Sequence, residues 1–190
     1  MRTWLHLCID MQRMFLEETP WHVPWMARTL DQVTEVTRRF PERTIFTRFI
    51  PPPSPDGMPG KWRDYYEKWE MMTTNRLPHD LLLLTDPLQR YVPPARIFDK
   101  HTYSPWTDGR LQRHLVQERV DTLVITGGET DVCVMAAALG AIELGYGVVV
   151  LKDAVCSGDD DAHEAALTLF ERRFSVQSEI MTAEEFLSAG

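Results

Sequence analysis

Three residues far apart in the sequence carry groups that would make a nucleophilic centre if folding gathered them: Asp10, Lys100 and Cys133. A free thiol titrates at about 8.5, and the first turn of a helix favours its thiolate through unpaired N–H groups and the helix dipole. An ammonium beside it, Lys100, adds to that effect. A carboxylate, Asp10, can accept the thiol proton and later deliver it to a leaving amine, which is general base followed by general acid work. A carboxylate and an ammonium about 4 Å apart attract by roughly 4 kcal/mol at an effective dielectric of about 20, enough to hold each other charged in a partly closed pocket. Before the cysteine, Gly127-Gly128 permits unusual backbone angles, and the N–H groups of Glu129 and Cys133 are placed to meet a developing oxyanion.

Each of the three residues falls at the end of an expected strand or the start of an expected helix. Short apolar runs alternate with stretches of helical spacing, the pattern of an α/β domain with a mainly parallel sheet. The expected strands are Thr3–Asp10, Thr44–Phe49, Arg96–Lys100, Thr122–Gly127, Gly147–Lys152 and a short one near Ser175–Gln177. The expected helices are Trp25–Phe40, with Leu30, Val33, Val36 and Phe40 on one face, then Asp108–Arg119, Val132–Leu144 and Asp161–Phe174. Thr182-Ala183-Glu184-Glu185 has the capping-box spacing that opens a last helix. The fold class that follows is a three-layer α/β/α sandwich of Rossmann-like type with a mainly parallel six-stranded sheet, in which ligands sit outside the carboxyl ends of the strands. Between residues 50 and 95 the pattern breaks. Ile50 to Gly60 holds five prolines and excludes helix and central strand, Lys61–Thr73 reads as helical, and Leu77–Pro94 reads as irregular. This is a Pro- and aromatic-rich excursion from one domain spanning residues 1–190.

The 190 residues suit a single domain, and 44% hydrophobic with 25% charged residues is the composition of a globular chain. The net charge of −8 would repel phosphate backbones and anionic lipid, so neither nucleic acid nor membrane is an expected partner. No apolar run approaches the roughly 20 residues of a membrane span. Three cysteines, Cys8, Cys133 and Cys156, are an odd number without metal-type spacing, so the expected setting is cytoplasmic with reduced thiols and no cofactor.

Ile9-Asp10-Met11-Gln12 followed by Phe15, then Lys100-x-x-Tyr103-Ser104 with Trp106, then Gly127-x-x-Thr130-Asp131-x-Cys133-Val134, Gly145-Tyr146 and Asp153-Ala154 occur in an order and at separations that resemble the isochorismatase-like cysteine hydrolases. The resemblance runs from residue 3 to about 175 and is weakest between 50 and 95. It implies an Asp10-Lys100-Cys133 triad, attack on an amide carbonyl, loss of an amine and hydrolysis of a thioester. It also implies a cis peptide between Gly128 and Glu129 that aims the Glu129 and Cys133 amides at the oxyanion, an oligomer (dimer or tetramer), and an aromatic substrate contact at Phe15. Metal-binding nicotinamidases of the family present Asp-x-His after the second strand, where this chain has Phe49-Ile50-Pro51, so no metal is expected. The isochorismatases proper lack the cysteine, and carbamoylsarcosine-type members often carry Thr-Ser-Gly-Cys where this chain has Thr130-Asp131-Val132-Cys133.

Other residues carry two readings each. Trp62, Tyr65, Tyr66 and Trp69 form a stripe that packs against the body or a partner subunit, with one of them, Trp62, taken as a pocket wall. Trp106, Trp21 and Trp25 could flank a flat substrate. Arg48 is a candidate for a substrate carboxylate, with a surface salt bridge as the alternative. Cys8, Cys156 and His101 read as structural, and His163 and Glu164 as solvent-facing. The expected function is a metal-independent cysteine amidohydrolase acting on a small carboxamide. A catalytically silent binding or regulatory module on the same scaffold is the alternative, and a nucleotide-binding protein is disfavoured because G-x-G-x-x-G is missing.

Overall fold

The computed structural model describes residues 3–189. Six strands, β1 (Trp4–Ile9), β2 (Thr44–Phe49), β3 (Arg96–Lys100), β4 (Thr122–Gly128), β5 (Gly147–Cys156) and β6 (Ser178–Met181), form one sheet in the order β3-β2-β1-β4-β5-β6. Every pairing is parallel. A sheet of this kind is covered on both faces, and its inner strands are apolar at nearly every position. Leu5, Leu7 and Ile9 of β1, Leu123 and Ile125 of β4, and Val148 and Val150 of β5 point into one layer. There they meet Leu111 and Leu115 of α5 (Arg110–Gln117), Ala137, Ala138 and Ala141 of α6 (Met135–Glu143), and Phe170 of α7 (Asp160–Arg173). The alternate residues Cys8, Val124 and Leu151 meet Val33 and Val36 of α2 (Met26–Arg39) and Ala183 of α8 (Ala183–Ser188). The period-two alternation of the strands divides one apolar content between two helical layers.

The excursion builds a third, smaller cluster from Met14, Phe49, Tyr66, Met72 and Leu77. Tyr66 belongs to α3 (Lys61–Lys68), and Met14 to the single turn α1 (Arg13–Leu16) that follows β1. The single turn α4 (Asp86–Gln89) adds Leu88 to the α2 layer. Buried Gln12 fastens this roof to the sheet. Its amide donates to the carbonyls of Phe49 at 3.1 Å and Leu82 at 3.0 Å, and its oxygen accepts the Phe49 N–H at 2.7 Å. On either side the Arg13 amide reaches the Leu83 carbonyl and the Thr85 amide the Met11 carbonyl. The excursion is thus held over the carboxyl ends of β1 and β2.

Three expected elements need correction. The helix expected from Val132 begins two residues earlier as a wide turn, Thr130–Val134, in which the Val134 amide reaches back five residues to the Glu129 carbonyl at 2.9 Å, and only then continues as α6. The fifth strand does not stop at Lys152. After a register shift Val155 and Cys156 pair with Gly127 and Gly128, which prolongs both strands toward the same rim. The last strand lies at Ser178–Met181 because Ser175–Gln177 form a turn, closed by the Gln177 and Ser178 amides on the Phe174 carbonyl, with Val176 in solvent.

At Gly127 the backbone has φ +107, and a Cβ would fall on the carbonyl oxygen and backbone of Ile9 in the neighbouring strand. Gly145, past the end of α6, has φ +89 but open space around it. Gly145→Ala is therefore expected to cost about 1–2 kcal/mol, the strain of a left-handed residue alone. Gly127→Ala adds a backbone collision that must part β1 from β4, and thermal unfolding should register a several-fold larger loss than for Gly145→Ala.

Candidate active site

Asp10 is the first residue beyond β1, and its φ of 49 turns the carboxyl back over the sheet rim. Thr47 of β2 fixes it twice: its backbone carbonyl and hydroxyl oxygen both accept the Asp10 amide at 3.2 Å, and the hydroxyl donates to Asp10 Oδ1 at 2.6 Å. Lys100 ends β3, two strands away. Its side chain crosses β2 with Nζ 5.1 Å from the Phe49 ring centre and ends 2.7 Å from Asp10 Oδ2. The same Nζ donates to the Thr102 carbonyl at 3.1 Å and to Cys133 Sγ at 3.5 Å. The three side chains expected from the sequence therefore meet in one cluster, with Asp10 1% and Lys100 6% exposed.

Burial disfavours the charged form of each group, so the pair persists only because each charge answers the other. For Lys100, burial pulls its pKa down, but the Asp10 carboxylate and the Cys133 sulfur outweigh it and the net shift is upward. For Cys133, burial pushes the thiol up, Lys100 pulls it down, and Asp10 raises it again both by charge and as an acceptor for the thiol proton. The net shift is upward. Where the sequence led to the expectation of a favoured thiolate, burial and Asp10 together outweigh Lys100 at the sulfur.

The turn carrying the sulfur has the peptide Gly128–Glu129 in the cis form, at the position that the resemblance implies. The amides of Val132 and Val134 both donate to the Glu129 carbonyl, at 3.1 and 2.9 Å, whereas the Cys133 amide between them does not. Thr130 anchors the turn by donating to the Cys156 carbonyl at 3.1 Å, and His163 Nδ1 lies 2.9 Å from the same hydroxyl. His163 is therefore half-buried support for the turn rather than a solvent-facing residue, while Glu164 is exposed as expected.

Above the cluster opens a cavity of about 200 Å³, with Cys133, Gly128, Glu129 and Val132 on one side. Phe15, Trp21, Met26, Phe49, Tyr65 and Tyr103 form the walls, and Pro20 and His22 complete the lining. Phe15 stands where the sequence placed it. Trp62, Trp106 and Arg48 do not line this cavity. Trp62 packs on Tyr65, Tyr66 and Tyr103, so the member of the aromatic stripe that faces the cavity is Tyr65. Trp106 is stacked on Tyr146, donates its indole N–H to the Ala137 carbonyl at 2.9 Å and occupies the space that a Cβ on Gly140 would need. Arg48 is locked to Asp99 by two bonds of 2.7 and 2.8 Å. Trp25 lies outside, between Arg28 and His163.

Phe49 was missed, although the rule that pointed to Asp10 and Lys100, reading what lies at each strand end, applies equally to β2, and Thr47, inside that strand, lies outside the rule's reach. Cys8 and Cys156 are buried, and burial pushes each thiol up to about 12, as befits structural residues. His6, also fully buried, bonds Thr44 and Thr126 through its two ring nitrogens, and burial lowers it to about 3. Phe49, Ile50 and Pro51 supply neither imidazole nor carboxylate, so a metal ion has no ligand set at the end of β2.

Comparison with known proteins places this arrangement. Isochorismatase family protein 1A of Dictyostelium discoideum is 42% identical over 75 residues, which are 38% of this chain and 36% of that protein's length. Nicotinamidase 3 of Arabidopsis thaliana is 26% identical over 162 residues, 85% of this chain and 77% of that one. The fold superposes on a cysteine hydrolase from Pseudomonas syringae pv. phaseolicola with a TM-score of 0.82 at 23% identity, covering 97% and 91% of the two chains. The family model described as Isochorismatase domain matches residues 5–185, a span that takes in all six strands and the whole cluster around Cys133, and the chain therefore belongs to the isochorismatase family.

Proposed function

We propose that the protein is a cysteine amidohydrolase that cleaves a small carboxamide through a thioester. The observation that carries this reading is the contact of one ammonium with both a carboxylate, at 2.7 Å, and a thiol, at 3.5 Å, at a cavity sized for a small flat molecule. The relatives named nicotinamidase and carbamoylsarcosine amidase, the latter sharing this fold with a TM-score of 0.76, add support for a C–N bond as the target.

In the first step Cys133 Sγ attacks the carbonyl carbon as Asp10 takes the thiol proton. The carbonyl π pair becomes an oxyanion facing the Glu129 and Cys133 amides, where fixed donors cost no reorganisation. Collapse of the tetrahedral adduct breaks the C–N bond, and Asp10 returns the proton to the departing amine. Asp10, again a carboxylate, then draws a proton from water as its oxygen adds to the thioester. Collapse of the second adduct releases the carboxylic acid, and the proton on Asp10 returns to the sulfur. Lys100 keeps Asp10 ionised between steps and faces the sulfur when it is anionic. No step needs a metal.

Cys133→Ala should fold as the parent does and release no ammonia above background across a panel of small amides, ureas and carbamates. Parent-like hydrolysis by that variant overturns the mechanism. Asp10→Asn removes both duties of the carboxylate, proton acceptor and proton donor. Asparagine tolerates the left-handed backbone at this position, so the cost in stability should be that of the lost ion pair, about 3–5 kcal/mol, without added backbone strain. Without the acid, amide turnover should fall by about 10²–10⁴.

Thiol alkylation tests the same electrostatics with the opposite sign. Burial and the Asp10 charge both raise the Cys133 thiol, so iodoacetamide should modify the resting enzyme slowly at neutral pH, with a rate still climbing above the ordinary thiol value near 8.5. Asp10→Asn removes one upward influence and leaves Lys100, so its alkylation curve should move to lower pH while hydrolysis is lost. A curve displaced to higher pH would contradict this account of the centre.

A further inference from the structure

The walls of the cavity carry information about the substrate beyond its scissile bond. Among the described residues no lysine or arginine lines the cavity. The nearest cation, Lys100, lies beneath it and is already engaged by Asp10, Cys133 and the Thr102 carbonyl. Arg48, the residue whose type suits a substrate carboxylate, is held by Asp99. His22 stands exposed at the rim, with Nδ1 hydrogen-bonded to the Glu17 carbonyl.

The anionic side is the better supplied. Glu129 lines the cavity, and no ion pair among the described residues involves it. Its Oε1 lies beside Gly158, 3.4 Å from where a Cβ would stand there. With Asp10 and Lys100 cancelling, an ionised Glu129 leaves the chamber with one net negative charge. Much of the remaining wall is aromatic: Trp21 lies 6.3 Å from Phe15, 5.9 Å from Phe49 and 6.0 Å from Tyr65, ring centre to ring centre. Aromatic rings near a carboxylate that has the Gly158 N–H but no cation beside it attract a cation and repel an anion.

Resting on the amidohydrolase reading, we propose that this cavity selects amides whose far end carries a positive charge and excludes those bearing a carboxylate, with the Glu129 side chain as the countercharge. Its backbone amide faces the oxyanion in that reading, so one residue meets the substrate at two places. The Glu129 carboxyl is raised first by burial and then by the charges of Asp131 and Asp10, a state that a bound cation relieves. Asp131 itself is turned to Ser157, whose hydroxyl it accepts at 2.5 Å.

The test uses three amides of one shape and different charge: meta-aminomethylbenzamide, meta-toluamide and meta-carbamoylbenzoate. Calorimetry on the Cys133→Ser protein measures binding without turnover. The ammonium compound should bind roughly tenfold or more tightly than the carboxylate compound, with the neutral one between them, and Glu129→Gln in the same background should collapse the spread. Carboxylate binding equal to or tighter than ammonium binding, or no binding of the ammonium compound, overturns the proposal. The charge series decides the matter alone should the Glu129→Gln protein not fold. Turnover is scored separately on the parent enzyme. Cation-selective binding without ammonia release from any of the three counts against the amidohydrolase reading and for this one. Equal turnover of all three charge types leaves the chemistry standing and removes the selectivity.

Discussion

The site depends on a single buried ion pair that spans a strand. Lys100 and Asp10 stand on β3 and just past β1, with β2 between them. Neighbouring strands are about 4.8 Å apart, so the two backbones are separated by roughly 10 Å, and a lysine side chain is long enough to bridge that gap where a shorter cation is not. Its path lies over the Phe49 ring, which closes the route from solvent and leaves the ammonium with only the partners the site provides. Removing either member of such a pair leaves an uncompensated charge at a cost of about 3–5 kcal/mol, so position and ionisation are maintained together. Everything else in the centre is arranged around this bridge: Thr47 sets the carboxyl, Gln12 sets the ends of β1 and β2 against the roof, and Gly127 lets β4 come close enough for Cys133 to reach the ammonium.

The strand order explains why the cavity lies where it does. Connections on either side of the β1–β4 junction leave to opposite faces of the sheet, and the crevice between them is the ordinary ligand site of open α/β folds. Asp10 borders that crevice from β1, and Cys133 from the turn after β4. The crevice alone would be open to water. The segment after β1, with Phe15, Pro20, Trp21 and His22, supplies most of the cover and the excursion adds Tyr65, while a small core of Met14, Phe49, Tyr66, Met72 and Leu77 joins the two. Tyr65 and Tyr66, adjacent in sequence, divide the work, one facing the cavity and the other the roof core.

What the sequence made legible was what local rules govern. Strand ends could be read from apolar runs, and with a parallel sheet they had to converge on one rim, which was enough to nominate Asp10, Lys100 and Cys133. The bounds of β2 and β3 follow from the same runs and agree with the structure residue for residue. Which long-range partner takes up a side chain was not legible, because no period within an element fixes it. Trp62, Trp106 and Arg48 each have a residue type suited to ligand contact, yet each is taken up by a partner distant in sequence: the stripe with Tyr103, the Ala137 carbonyl, and Asp99. Thr47 escaped notice for a different reason. A threonine inside a strand reads as β propensity, and only the register of β2 against β1 turns its hydroxyl toward Asp10. The extension of β5 to Cys156 depends on a bulge, which has no sequence pattern of its own.

The protonation of the sulfur follows from the same geometry that makes the pair. A thiolate at rest would need one ammonium to serve two anions in a medium of low polarity, and the nearer claim, at 2.7 Å, belongs to Asp10. The sulfur at 3.5 Å receives what is left. In the proposed mechanism anionic character on sulfur arises only as the proton moves to Asp10 and bond formation to carbon draws the charge away. Reactivity on that reading is set by the arrival of an electrophilic carbon, which has to be held close and oriented before any proton moves, and the aromatic walls of the cavity are the surfaces that can hold it.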